Sequence, residues 1–127
     1  MSLRSELGRV RGLGSAKSGL HHWWHQRLTA MALIPLTLWF VNGVLGHMDA
    51  SHEALITWMS SPFVSTMLVA FLLALFYHAK LGLQVVIEDY VHNEFHKIAL
   101  LTIMKLLVAF AALLGVIAVL RISLAMP

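Results

Sequence analysis

After Arg27 the chain is built around three long apolar stretches, residues 28–46, 63–87 and 98–120, separated by short polar breaks. About 20 helical residues cross the ~30 Å hydrocarbon core of a bilayer, and each stretch reaches or nearly reaches that length. In hydrocarbon, backbone N–H and C=O groups must be satisfied within the segment itself, so the spans are expected to be helices. The expected fold is all-α: one membrane domain over residues 1–127, an integral three-transmembrane-helix bundle. Charge supports this, because only 12% of residues are charged against about a quarter in soluble domains. So few charges cannot cover a soluble surface at this length, which argues against a soluble enzyme, a disordered chain or a free-standing nucleic-acid module.

The breakers fall between the spans. Ser60-Ser61-Pro62 is expected to open the second helix, with proline near its first position, where a missing N–H costs little. Pro35 lies inside the first helix, where a kink is expected. Residues 1–20, with glycines and serines among bases, read as a flexible or partner-ordered basic arm. The first apolar run follows 27 residues and lacks a convincing small-residue cleavage site, so it reads as a retained span and not a secretory signal.

Arg4, Arg9, Arg11, Lys17 and Arg27 precede the first span, whereas residues 47–62 contain no Lys or Arg and hold Asp49 and Glu53. The positive-inside bias therefore predicts a cytoplasmic N-terminus, a cytoplasmic 88–97 turn and a periplasmic C-terminus. Lys80 and Lys105 lie about two turns inside their helices and are expected to snorkel toward the cytoplasmic side.

Of eight histidines only His78 falls within a span. Asp89 follows it by 11 residues, three helical turns plus about 20°, so the two share a face roughly 16 Å apart. An ionisable residue at that depth is a functional-site candidate. A neutral imidazole there is suited to axial ligation of haem iron, or to a hydrogen bond that ties two helices together. No second histidine lies at that depth, so a six-coordinate haem would draw its other ligand from another subunit. Asp89-Tyr90 at the membrane edge reads as a quinone-binding pair or as an interfacial tyrosine beside an acid. His21-His22-Trp23-Trp24-His25-Gln26-Arg27 reads as an interfacial anchor or as a face turned toward anionic groups. His92 and His96 have metal-ligand spacing only if helical. The chain has no cysteine, which excludes disulfides, thiolate-held iron–sulfur clusters and covalent c-type haem within it.

The stretch His78-Ala79-Lys80-Leu81-Gly82, running on to Glu88-Asp89-Tyr90, resembles the small membrane-anchor subunit of bacterial succinate dehydrogenase (respiratory complex II). The Arg-Val-Arg-Gly-Leu-Gly-Ser-Ala-Lys arm at 9–17, His-Trp-Trp at 22–24 and Gln-Arg-Leu-Thr-Ala at 26–30 extend the resemblance along essentially the whole chain. It implies succinate:ubiquinone oxidoreductase activity of a complex in the bacterial inner membrane, part of the tricarboxylic acid cycle and respiratory chain. This chain alone is not expected to oxidise succinate. The resemblance also implies haem b shared with a second, larger cytochrome b anchor, ubiquinone as substrate, and FAD and iron–sulfur clusters held only by a flavoprotein and an iron–sulfur subunit. By the same resemblance His78 is the haem iron ligand, and Tyr90 and Asp89 belong to the quinone site. Arg27 and His21 lie near the haem propionates or quinone, with His22 or His25 as substitutes for His21. Lys80 departs from the family pattern, about 200° from His78 around the helix. Two alternatives remain open at this stage: the anchor of a fumarate reductase, and a cofactor-free structural or assembly protein.

Overall fold

A computed structural model describes residues 6–10 and 17–125. Within them the chain forms α1 (Glu6–Val10), α2 (Lys17–Gly46), α3 (His52–Ser60), α4 (Pro62–Tyr90) and α5 (Glu94–Ala125), with no strand among the described residues. The three expected spans lie inside α2, α4 and α5, each long and apolar enough to cross a membrane. Ser61 caps α4 as its position before proline suggests: its side chain accepts a hydrogen bond from the Val64 N–H, and Pro62 takes the first helical position. Helix α2 continues through Pro35, which withholds one N–H from the Met31 carbonyl without ending the helix.

Two features differ from the sequence reading. Helix α2 starts at Lys17, so the His21–Arg27 cluster forms its early turns instead of preceding it. Nothing between Leu20 and Leu28 breaks a helix, and Gly19 falls in the first turn, where its propensity cost of about 1 kcal/mol is easily outweighed. The last residues of the expected 1–20 arm are thus helical, while 1–5 and 11–16 lie outside the described residues. The second difference is α3, unforeseen in the loop between the first two spans. Its N-cap Ser51 accepts from the Ala54 N–H, and Glu53 in the first turn suits the positive end of the helix.

Helix α4 is the centre of the bundle. Helices α2 and α5 pack on either side of it without packing on each other, and α3 rests against α4 and α5. Packing is tightest toward the α3 end, where Val64, Leu68 and Val119 form a buried cluster flanked by Trp39, Phe40 and Trp58. Phe40 stacks on Phe71 with ring centroids 4.8 Å apart. Two glycines permit close approach here: a Cβ on Gly43 would lie 2.7 Å from Trp58 Cζ2, and one on Gly115 3.2 Å from Leu72 Cδ1. His47 stacks on the same Trp58 at 4.3 Å and donates from Nδ1 to the Gly43 carbonyl at 2.8 Å. Toward the opposite end, Leu81 and Met104 are buried. Most other large apolar side chains are exposed, a surface suited to lipid or partner helices and not to water.

Candidate functional site

The chemistry-bearing residues gather where α2 and α4 pass each other, away from the tight aromatic end. His78 on α4 is partly buried and faces Thr29 and Gln26 of α2. Thr29 Oγ1 lies 2.7 Å from the His25 carbonyl and 3.1 Å from the Gln26 carbonyl. Both are pure acceptors for the single hydroxyl proton. The same Oγ1 lies 2.9 Å from His78 Nδ1. With the hydroxyl proton on the backbone, Oγ1 accepts from Nδ1–H there, and a lone pair then remains on Nε2. The Gln26 amide nitrogen, 3.4 Å from Nε2, meets that lone pair as a long, weak donor.

An imidazole oriented by a hydrogen bond at Nδ1, with only a long contact at Nε2, is compatible with a metal-ligating histidine and its outer-shell partner. His78 also borders an open apolar groove of about 430 Å³, together with Ala30, Leu33, Ile34, Thr37 and Leu38. On the other side of Gln26 lies a larger open cavity of about 830 Å³, lined by His22, Trp23, Gln26, Arg27, Gln84 and Glu88 among others. His22 Nε2 and Gln26 Oε1 are buried without hydrogen-bond partners. The Arg27 guanidinium lies 5.6 Å from the centroid of the Trp23 ring, a cation–π contact that leaves its donors available. Glu88 is held by the Gln84 side-chain amide at 2.8 Å.

The uninterrupted helix Pro62–Tyr90 preserves the three-turn spacing of His78 and Asp89. The chain does not enclose the acid–tyrosine pair. Asp89 is exposed, Tyr90 is 79% exposed, and neither borders the two cavities around His78. Of the sequence candidates, His22 and Arg27 share one cavity, and His78 lies next to it, 3.4 Å from the cavity-lining Gln26. His21 is exposed and stands beside His25, ring centroids 6.2 Å apart, while the His25 Nδ1 is hydrogen-bonded by the Tyr77 hydroxyl at 3.2 Å. His92 falls in the break before α5 and donates to the Tyr90 carbonyl, so it and His96 do not share a helix. No cluster of three or more His, Cys, Asp or Glu suited to a metal ion occurs among the described residues. Thr29 and Gln26 were not singled out from sequence, although His22, Gln26 and Thr29 form a polar stripe at i, i+4, i+7 on one face of a largely apolar helix.

A family model described as succinate dehydrogenase/fumarate reductase transmembrane subunit matches residues 1–119. Among similar curated proteins is the succinate dehydrogenase hydrophobic membrane anchor subunit of Rickettsia bellii, 39% identical over 88 residues, 69% of this chain and 70% of that one. The protein of the same name from Rickettsia conorii is 36% identical over 97 residues, 75% of each chain. That of Paracoccus denitrificans is 30% identical over 92 residues, 72% of this chain and 71% of its own. With the three apolar helices, these matches identify a multi-pass membrane protein, and the chain belongs to the family of succinate dehydrogenase/fumarate reductase transmembrane subunits.

Proposed function

We propose that the chain is the small anchor of a succinate:ubiquinone oxidoreductase in the bacterial cytoplasmic membrane, with its N-terminus and the 91–93 turn on the cytoplasmic side. It would bind a larger histidine-bearing anchor, an iron–sulfur subunit and a flavoprotein. In this reading His78 is one axial ligand of haem b, and Tyr90 with Asp89 forms part of the ubiquinone-reduction site.

The observation that carries the haem reading is the Thr29 hydroxyl 2.9 Å from His78 Nδ1, which orients the ring; with Nδ1 protonated, a lone pair on Nε2 is available to iron. The surroundings fit the group. The apolar groove beside His78 suits a macrocycle, and its openness suits sharing with a partner chain. The cavity beyond Gln26 offers Arg27 and His22 to acidic substituents. Gln26 must turn aside for Nε2 to reach a metal, and its carbonyl oxygen has no partner to lose. His21 lies on the exposed side of the same turn, where acidic groups would reach it only in company with a partner subunit. When bound, the haem supplies a one-electron store at the level of His78.

At the turn, the exposed Tyr90 hydroxyl is free to donate a hydrogen bond to a quinone carbonyl, and the Asp89 carboxylate beside it can hold a proton. Their exposure fits a pocket completed by another subunit. His78→Ala in the assembled complex is expected to abolish or alter the haem optical bands; unchanged bands and redox titration would overturn the ligand role. Tyr90→Phe is expected to impair quinone reduction while succinate oxidation by an artificial acceptor survives; equal loss of both would overturn the quinone-site role. A cofactor-free anchor predicts that neither variant affects electron transfer.

A further inference from the structure

On the other side of α4 from His78, Lys80 and Lys105 border one open groove of about 300 Å³ between α4 and α5. The helices are antiparallel and joined by the short break at residues 91–93. Lys80 lies ten residues before Tyr90 and Lys105 eleven after Glu94, so both stand at nearly one level, roughly 15–16 Å from the turn. Helices of 29 and 32 residues exceed the roughly 20 that span hydrocarbon, so their ends project beyond it. Long lysine stems at this level can carry their ammonium groups to the headgroup boundary.

The chain supplies no counter-charge there. Its acids are Glu6, Asp49, Glu53, Glu88, Asp89 and Glu94, and none lies within the three apolar stretches. Lys80 stands 5.3 Å from the centroid of the Tyr77 ring, and among the described residues neither lysine has an ion pair. Two cations lining one groove in a low-dielectric setting favour an anion between them.

The groove also has a direction. Both lysines arise at its end nearer the turn, and its walls continue away from the turn past Tyr77 and Phe76 to Leu73, with Ala109 and Ala112 leaving space on α5. A charged head joined to an apolar tail matches that polarity better than a short carboxylate side chain. We propose that this groove binds the phosphate of an anionic phospholipid between Lys80 and Lys105, with an acyl chain along the apolar wall.

The test uses the assembled complex, delipidated in mild detergent and titrated with dioleoylphosphatidylglycerol or dioleoylphosphatidylcholine, with bound lipid counted by native mass spectrometry. Wild-type complex is expected to retain the anionic lipid about tenfold more tightly than the zwitterionic one. Lys80→Gln/Lys105→Gln should abolish that preference, while Lys80→Arg/Lys105→Arg and Lys97→Gln, which lies outside the groove, should keep it. If the double glutamine variant does not assemble, Lys105→Gln alone, altering an exposed side chain, should weaken the preference about threefold. Absence of preference in the wild type, or its survival in the glutamine variants, would overturn the proposal. So would loss of a protein subunit from the glutamine variants with lipid preference intact, which would assign the lysines to a partner's carboxylate or a second copy.

Discussion

Replacing Thr29 by valine exchanges a hydroxyl for a methyl group at nearly constant volume, which isolates the hydrogen bond that orients His78. In the native chain Oγ1 lies 2.9 Å from His78 Nδ1 and 2.7 Å from the His25 carbonyl, to which it donates; under the proposed ligand role it accepts the Nδ1–H. Valine leaves Nδ1–H without its acceptor in a partly buried position, a loss of about 1–3 kcal/mol. Removing the outer-shell partner of a ligating histidine typically weakens metal affinity about 10–100-fold, equivalent to about 1.4–2.7 kcal/mol. The two estimates agree. Under the proposed ligand role, Thr29→Val in the assembled complex should weaken haem retention by about 10–100-fold, read as the haem-to-protein ratio after incubation with a haem-scavenging apoprotein. The midpoint potential should rise, because an imidazole without a hydrogen-bond acceptor at Nδ1 is less basic and stabilises ferric iron less. Thr29→Ser retains the hydroxyl and should preserve both properties. The reasoning fails if valine leaves retention and potential at wild-type values, or if serine and valine are equally impaired. A His78→Ala complex that keeps its haem would overturn the ligand role itself.

Gln26→Leu removes the weak donor facing Nε2 while leaving the Thr29 bond intact; the haem bands should persist, and their loss would show that Gln26 has more than a displaceable contact there. Gly43→Ala would place a methyl group 2.7 Å from Trp58 Cζ2, an overpacking cost of about 1–3 kcal/mol. It should lower the thermal midpoint of the complex in detergent without changing the haem spectrum, since the clash lies roughly 21 Å along α2 from Thr29. Ser61→Ala removes the cap on Val64 N, whose 3.4 Å length points to the lower part of the usual range, about 0.5–1 kcal/mol; the same thermal measurement checks it.

The spans were legible because membrane crossing reduces to length and apolarity, and residues 28–46, 63–87 and 98–120 display both. The Ser61-Pro62 boundary was legible because cap and proline chemistry is local. Helix α3 was harder: Ser51 and Glu53 are start signals, but a nine-residue helix is marginal alone, and Trp58 must first find Gly43 and His47 across the fold. His78 stood out as the only intramembrane histidine. Its hydrogen-bond partner was not legible, since that partner is a hydroxyl 49 positions away on another helix. Asp89 and Tyr90 were readable as a pair, whereas their openness emerges only once the neighbouring helices are in place.

The central position of α4 has a thermodynamic consequence. Because the backbones of α2 and α5 do not approach each other, a substitution toward the turn end of one influences the other chiefly by displacing α4, whereas near α3 the Trp58 cluster links them. Changes at Ala30 and Ala109, each bordering a separate groove, should therefore add in free energy to within about 0.3–0.5 kcal/mol, as independent sites do. Selection can then retune the histidine side and the lysine side of the chain separately, with substitutions in α4 and around Trp58 of α3 as the points where the two histories become coupled.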